Sequence, residues 1–203
     1  MKPDNATALL VLAHGAGAGM RHAFLERMSQ ALADRRIATF RYEFAYMEKR
    51  AGRPDPPGVA AARVREAVDE AARVAPGLPL FAGGKSFGGR MTSTAAAEAP
   101  LPGVRGLVFY GFPLHPPGQP GTSRAEHLDR VSVPMLFLQG TRDQFAQLPL
   151  LEPVVERLQP RATLHLIDGG DHSFKVPKSS GRTPADVMND LADTIAAWAD
   201  TLL

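Results

Sequence analysis

Six short apolar runs punctuate the chain: "ALLVLAHG" (8–15), "IATFRYEF" (37–44), "LPLFAGG" (78–84), "VRGLVFYGF" (104–112), "VPMLFLQG" (133–140) and "ATLHLID" (162–168). Their length and their β-branched and aromatic content read as strands. Helical patterns separate them. Residues 20–35 carry Phe24, Leu25, Met28 and Leu32 at helical spacing, and 59–75 place Val64, Val68 and Ala71 on one face. Further helices are predicted over 87–98, near 150–159 and over 184–202. The last has an apolar stripe of Val187, Leu191, Ile195, Trp198 and Leu202. Its start is marked by Thr183 as N-cap, Pro184 at the first position and Asp186 three residues after the cap. Apolar strands that alternate with helices imply a parallel sheet covered on both faces. The Pro/Gly-rich segments "EKRAGRPDPPG" and "PLHPPGQPG" are loops, and the second is too short for an interdomain linker. No internal repeat is present, so the pattern predicts one α/β domain over 1–203.

Composition narrows the chemistry. A chain of 203 residues buries roughly 70–75% of its unfolded surface, enough for a substantial core. It contains no cysteine, which excludes disulfides, thiolate zinc sites and a cysteine nucleophile, and fits a reducing cytoplasm. Lys and Arg number 23 against 21 Asp and Glu, and the two signs are interspersed. There is no basic block to bind nucleic acid. "ALLVLA" near the N-terminus is too short for a secretory signal, and no run approaches the ~20 apolar residues of a membrane span. The expectation is a cytoplasmic protein with a small-molecule partner and no cofactor or metal.

The stretch "LPLFAGGKSFGGRM" (78–91) admits two readings. Gly84-Lys85-Ser86 ends like a phosphate-binding P-loop, but G-x-x-x-x-G-K-[ST] needs glycine at position 79, where Pro79 stands. Gly84-Lys85-Ser86-Phe87-Gly88 is also G-x-S-x-G, the sharp strand-to-helix turn that exposes a serine. Side chains at Gly84 or Gly88 would collide with neighbouring chains in such a turn. A serine there needs a base, and the base needs an orienting acid, in the chain order Ser, Asp or Glu, His. Asp143 follows the fifth strand and His172 follows the sixth. Parallel strands bring these loops to one edge. Among the other histidines, His165 lies inside a strand, and His22 and His127 read as solvated. Asp168 and Asp171 are rivals of Asp143, but a residue adjoining His172 reaches its ring poorly.

The loop "AHGAGAG" (13–19) lacks the third glycine of a dinucleotide fingerprint, since position 20 is Met20. It suits an oxyanion hole, with N–H donors from Phe87 and from Ala16 or Gly17. His14 is expected to support that loop. Lys85, beside the serine, is expected to point away to a surface or salt-bridge role. Tyr46, Phe112, Leu114 and Phe145 are candidates to line an acyl pocket.

Together "HGAGAG", "GGKSFGGR", "YGFPLHPPG", "GTRD" and "GDHSF" resemble the α/β-hydrolase superfamily. More closely, they resemble small bacterial members related to dienelactone-hydrolase-type enzymes and to a human chromatin-complex subunit of the same fold. The resemblance covers nearly the whole chain. It implies Ser86 as nucleophile, Asp143 as acid, His172 as base and a serine hydrolase of esters or related acyl compounds. A catalytically silent scaffold and an acyl transferase are the alternatives. Two strands that often open the superfamily are missing, so six parallel strands in the order 2-1-3-4-5-6 are expected. The short 113–132 segment leaves no cap domain, and an open, shallow site covered by the 45–58 and 113–125 loops is expected.

Overall fold

The computed structural model describes residues 1–203. In chain order it contains β1 (Ala8–Ala13), α1 (Ala23–Ala33), β2 (Ile37–Tyr42), a short α2 (Ala45–Glu48), α3 (Pro57–Val74), β3 (Leu80–Lys85) and α4 (Phe87–Glu98). These are followed by β4 (Val104–Tyr110), β5 (Met135–Gly140), α5 (Leu148–Arg157), β6 (Ala162–Ile167) and α6 (Pro184–Asp200). The strands form one all-parallel sheet in the order β2-β1-β3-β4-β5-β6, the order that the resemblance implies.

Side-chain parity divides the core in two. Along β1, Leu9, Val11 and Ala13 join the core under α3, α4 and α5, whereas Ala8, Leu10 and Leu12 join the one under α1 and α6. On β5, Met135 and Phe137 take the first face, and Leu136 and Leu138 the second. Both faces are covered, which is why these strands read as unbroken apolar runs. β6 lies at the edge and has partly exposed residues in its middle. α6 begins with a reciprocal cap: Thr183 Oγ1 accepts from the Asp186 N–H, and the Asp186 side chain accepts from the Thr183 N–H.

The 113–132 segment holds no cap domain. Its Ser123–Arg130 turns are 3₁₀ and lie on α4, with Ala125 and Leu128 buried. No helix is long and apolar enough to cross a membrane. The C-terminal ends of all six strands share one edge, where the loops after β1, β3, β5 and β6 gather.

Candidate active site

Ser86 sits at the β3–α4 junction with φ 51° and ψ −113°, a left-handed conformation costing a non-glycine residue roughly 1–3 kcal/mol. The surroundings fix it there. Its N–H donates to the Tyr110 carbonyl at 3.0 Å, and its carbonyl accepts from Arg90 N–H at 3.1 Å. The turn is pressed against the end of β1. A Cβ on Gly84 would lie 2.5 Å from the Ala13 oxygen, and one on Gly88 would lie 2.5 Å from the His14 oxygen.

Ser86 Oγ lies 2.9 Å from His172 Nε2, and His172 Nδ1 lies 2.6 Å from Asp143 Oδ2. An ionised carboxylate only accepts, so Nδ1 carries the proton and the Nε2 lone pair faces the serine. Asp143 is buried. Its Oδ1 accepts from the Phe145 N–H at 2.8 Å, and its Oδ2 also accepts from Gln139 Nε2 at 2.5 Å. The rival acids are engaged elsewhere. Asp171 Oδ1 accepts from the Ser173 and Lys175 amides, and Asp168 is held by Thr141.

Of the other histidines, His165 bonds Asp190, His115 bonds Gln147 and His22 accepts from the Phe24 N–H. His127 is not the solvated residue the sequence suggests: its Nε2 meets Ser93 Oγ at 2.8 Å. Burial, then Arg130 and Arg90, push its pKa down to about 4. Ser93 is fully buried inside α4 and donates to the Arg90 carbonyl, so this second Ser–His pair is packing.

Phe87 opens α4, where the first N–H groups have no partner in the helix. The Ala16 N–H has no protein acceptor, and Ala16 lines the cavity beside Ser86. Gly17 is a correction to the sequence reading: its N–H is already donated to Tyr46 Oη at 2.8 Å. His14 is fully buried beneath this loop. It accepts from the Phe44 N–H at Nε2 (3.1 Å) and donates from Nδ1 to the Gly15 carbonyl (2.8 Å). Burial lowers its pKa, against the Gly15 bond and Glu43, and the ring ties the loop after β1 to the chain just past β2.

The cavity departs most from expectation. About 730 Å³ in volume, it opens between the β1–α1 loop and the segment leading into α6. Its apolar wall is Phe24, Leu25, Phe174, Val187, Met188 and Leu191, while its charged lining is Arg27, Lys85, Lys175 and Arg182. The 45–58 and 113–125 loops lie elsewhere. Tyr46, Phe112 and Leu114 are buried in the core on the α3/α4 side and do not line it. Tyr46 braces the Gly17 amide, and Phe112 packs on Phe109 and Phe137. Phe145 is also outside the lining, with its ring 4.5 Å from that of His172.

Sequence reasoning missed two residues. Gln139 is fully buried and donates to Asp143 while accepting from the Phe112 N–H at 3.0 Å. Gly111 has φ 65°, and a Cβ there would lie 2.9 Å from Lys85 Nζ and 3.2 Å from His172 Nδ1. Only the crowding of three distant segments marks it out. No group of three or more His, Asp or Glu side chains is placed to hold a metal ion.

Lys85 overturns its surface assignment. Half-buried, it donates from Nζ to the His172 carbonyl at 2.5 Å and lies 5.4 Å from the Phe174 ring centre. Burial lowers its pKa to about 8, against the nearby charges of Asp143 and Asp171. A lysine whose folded-state pKa is depressed carries a penalty below that pKa. The penalty fades as pH rises toward the unfolded value. Lys85→Met is therefore expected to raise stability by roughly 1–3 kcal/mol at pH 7, an advantage that shrinks between pH 8 and 10.5. Urea denaturation across that range checks the sign; a less stable variant at pH 7 contradicts it.

Fold and site together define an α/β-hydrolase. Residues 6–200 match the α/β-hydrolase domain family, and the chain belongs to it. Among solved structures it is similar to a dienelactone hydrolase from Anabaena variabilis, at 24% identity and TM-score 0.76, covering 100% of this chain and 89% of that one. It is also similar to an α/β serine hydrolase without a lid from Xanthomonas campestris, at 20% identity and TM-score 0.74, covering 97% and 85%. A third is Est1E from Butyrivibrio proteoclasticus, with ferulic acid bound, at 14% identity and TM-score 0.71, covering 96% and 92%. At these identities the likeness is one of fold.

Proposed function

We propose that the protein is a serine hydrolase of carboxylic esters or related acyl compounds, acting in the cytoplasm on a small-molecule substrate. The observation that carries this reading is the unbroken chain from Ser86 Oγ through His172 to Asp143, with the serine on a strained turn at a cavity wall. In the proposed reaction His172 Nε2 takes the Ser86 proton as Oγ bonds to the carbonyl carbon. The oxyanion accepts from the Phe87 and Ala16 N–H groups. Asp143 holds the imidazole and offsets its positive charge. The intermediate then collapses: the bond to the leaving group breaks, and the departing oxygen takes the proton from Nε2. Water, deprotonated by the same nitrogen, attacks the acyl-enzyme, and the acid leaves as Ser86 regains its proton. No cofactor is called for.

The apolar wall suits an aliphatic or aromatic acyl group. Each buried methylene is worth about 0.8 kcal/mol, so kcat/KM for p-nitrophenyl esters is expected to rise about three- to fourfold per added carbon from acetate to hexanoate. Rapid mixing is expected to give a burst of p-nitrophenol approaching one per chain. Folded protein that releases none from any member of the series contradicts the reading and favours a binding or scaffold role.

A further inference from the structure

His172 stands in the loop between β6 and α6, where its own N–H and carbonyl take part in no main-chain hydrogen bond. Its N–H has no protein acceptor, and its carbonyl has one partner, Lys85 Nζ at 2.5 Å. The neighbouring bonds, Asp171 N–H to the Lys175 carbonyl, Phe174 N–H to the Asp171 carbonyl and the Ser173 and Lys175 amides to Asp171 Oδ1, close the turn around residue 172 without using its own main-chain groups. Lys85 reaches it from the end of β3, one residue before Ser86, the atom partner of the same imidazole. Gly111 leaves room for the two side chains to approach: a Cβ on it would lie 2.9 Å from Lys85 Nζ and 3.2 Å from His172 Nδ1. Lys85 lines the cavity, and its Nζ lies 5.4 Å from the Phe174 ring centre. A half-buried ammonium outside any ion pair is unfavourable for stability. That makes a role in the site the more economical account of it.

We propose that Lys85 is a positioning residue, anchoring the main chain of His172 so that the imidazole stays between Asp143 and Ser86. This rests on the reading of those three residues given above. The clamp joins the nucleophile's strand to the base's loop through a rigid sheet edge. Its loss frees the loop to move by the ångström or so that costs rate without costing binding. Its strength depends on the ammonium, because a charged donor holds a carbonyl more tightly than a neutral amine. Asp143 from the β5–α5 loop and Asp171 from the β6–α6 loop favour the charged form, burial opposes it, and the balance lies at about 8. Lys175 and Arg182 from the α6 approach, Arg27 from α1 and His22, which caps α1, share the cavity.

The cysteine-free chain allows a direct test. Lys85→Cys introduces a single thiol, and alkylation with 2-bromoethylamine rebuilds the side chain with sulfur in place of one methylene. With p-nitrophenyl acetate, Lys85→Cys and Lys85→Met are expected to lose about 10–100-fold in kcat with KM within about threefold. Alkylation is expected to restore most of kcat. The wild-type kcat is expected to fall above pH 8. The alkylated protein is expected to fall at lower pH, because sulfur withdraws electrons from the amine. Full kcat in Lys85→Met, or no recovery after alkylation that mass spectrometry shows to be complete, overturns the proposal. A second readout does not need turnover: the low-field proton resonance of His172 Nδ1–H. It is expected to be sharp in wild type, broadened in Lys85→Met and restored in the alkylated protein, and an unchanged resonance in all three overturns the clamp. Wild-type protein that shows the resonance but releases no p-nitrophenol speaks against the hydrolase reading alone.

Discussion

Ser86→Ala is expected to lower kcat for p-nitrophenyl esters about 10⁴–10⁶-fold while leaving the fold intact. The variant removes the one atom that forms the covalent bond. His172 keeps its bond to Asp143 and the cavity keeps its apolar wall, so KM is expected to change little. Structure should survive because the Ser86 side chain caps nothing: the α4 N-cap has no side-chain hydrogen bond, and the turn is held by main-chain bonds to Tyr110 and Arg90. Circular dichroism and steady-state kinetics on the same preparation check both halves. Activity above one hundredth of wild type would mean that another group attacks the ester.

The largest effect on stability is expected from Gly83→Ala. A Cβ there would lie 1.9 Å from the Val108 oxygen and 2.8 Å from its carbonyl carbon, both main-chain atoms of the neighbouring strand. Neither strand can yield without breaking the β3–β4 ladder at the centre of the sheet. The change is expected to cost about 3 kcal/mol or more, the upper end of what overpacking a core costs because here the clash is with main-chain atoms, and to leave little folded protein at 37 °C. Gly58→Ala is the control. It lies in the first turn of α3 with nothing within 4 Å of the added carbon, and is expected to be neutral or to stabilise by up to about 1 kcal/mol. Chemical denaturation of the two variants gives the comparison. Equal midpoints would mean that the sheet centre tolerates a side chain where the geometry leaves no room.

Gly83 also marks where the sequence stops being informative. The six strands and their parallel pairing were legible because apolar runs of strand length alternate with helical stripes, whereas the order in which they lie came from the resemblance to the α/β-hydrolase superfamily. Gly84 and Gly88 were legible through their spacing about Ser86. The crowding at Gly83 comes with a register irregularity between Leu80 and Ala82 in the β3–β4 pair, which no local pattern encodes. Ser86, Asp143 and His172 stood out by order and by position at strand ends, and they lie in one hydrogen-bonded chain.

The cavity was not legible, for a physical reason. Phe24, Leu25, Val187 and Leu191 belong to the stripes that bury α1 and α6. Members of those stripes from the first halves of the two helices also face the cavity, yet nothing in a hydrophobic period says where core ends and cavity begins. Phe112 and Leu114, apolar residues in a loop at the right edge, turn into the core instead. Lys85 was misplaced because its neighbour's exposure says nothing of a side chain long enough to reach the His172 carbonyl. The spent Gly17 amide depends on Tyr46, twenty-nine residues away.

Diisopropyl fluorophosphate, followed by peptide mapping, reaches the central claim most directly, because it asks whether Ser86 is a nucleophile before any natural substrate is known. Phosphorylation of one residue per chain, on the peptide carrying Ser86, absent in Ser86→Ala and strongly slowed in His172→Ala, is the expected result. Folded wild-type protein left unmodified, or modified at another cavity hydroxyl such as Ser173, would contradict the account.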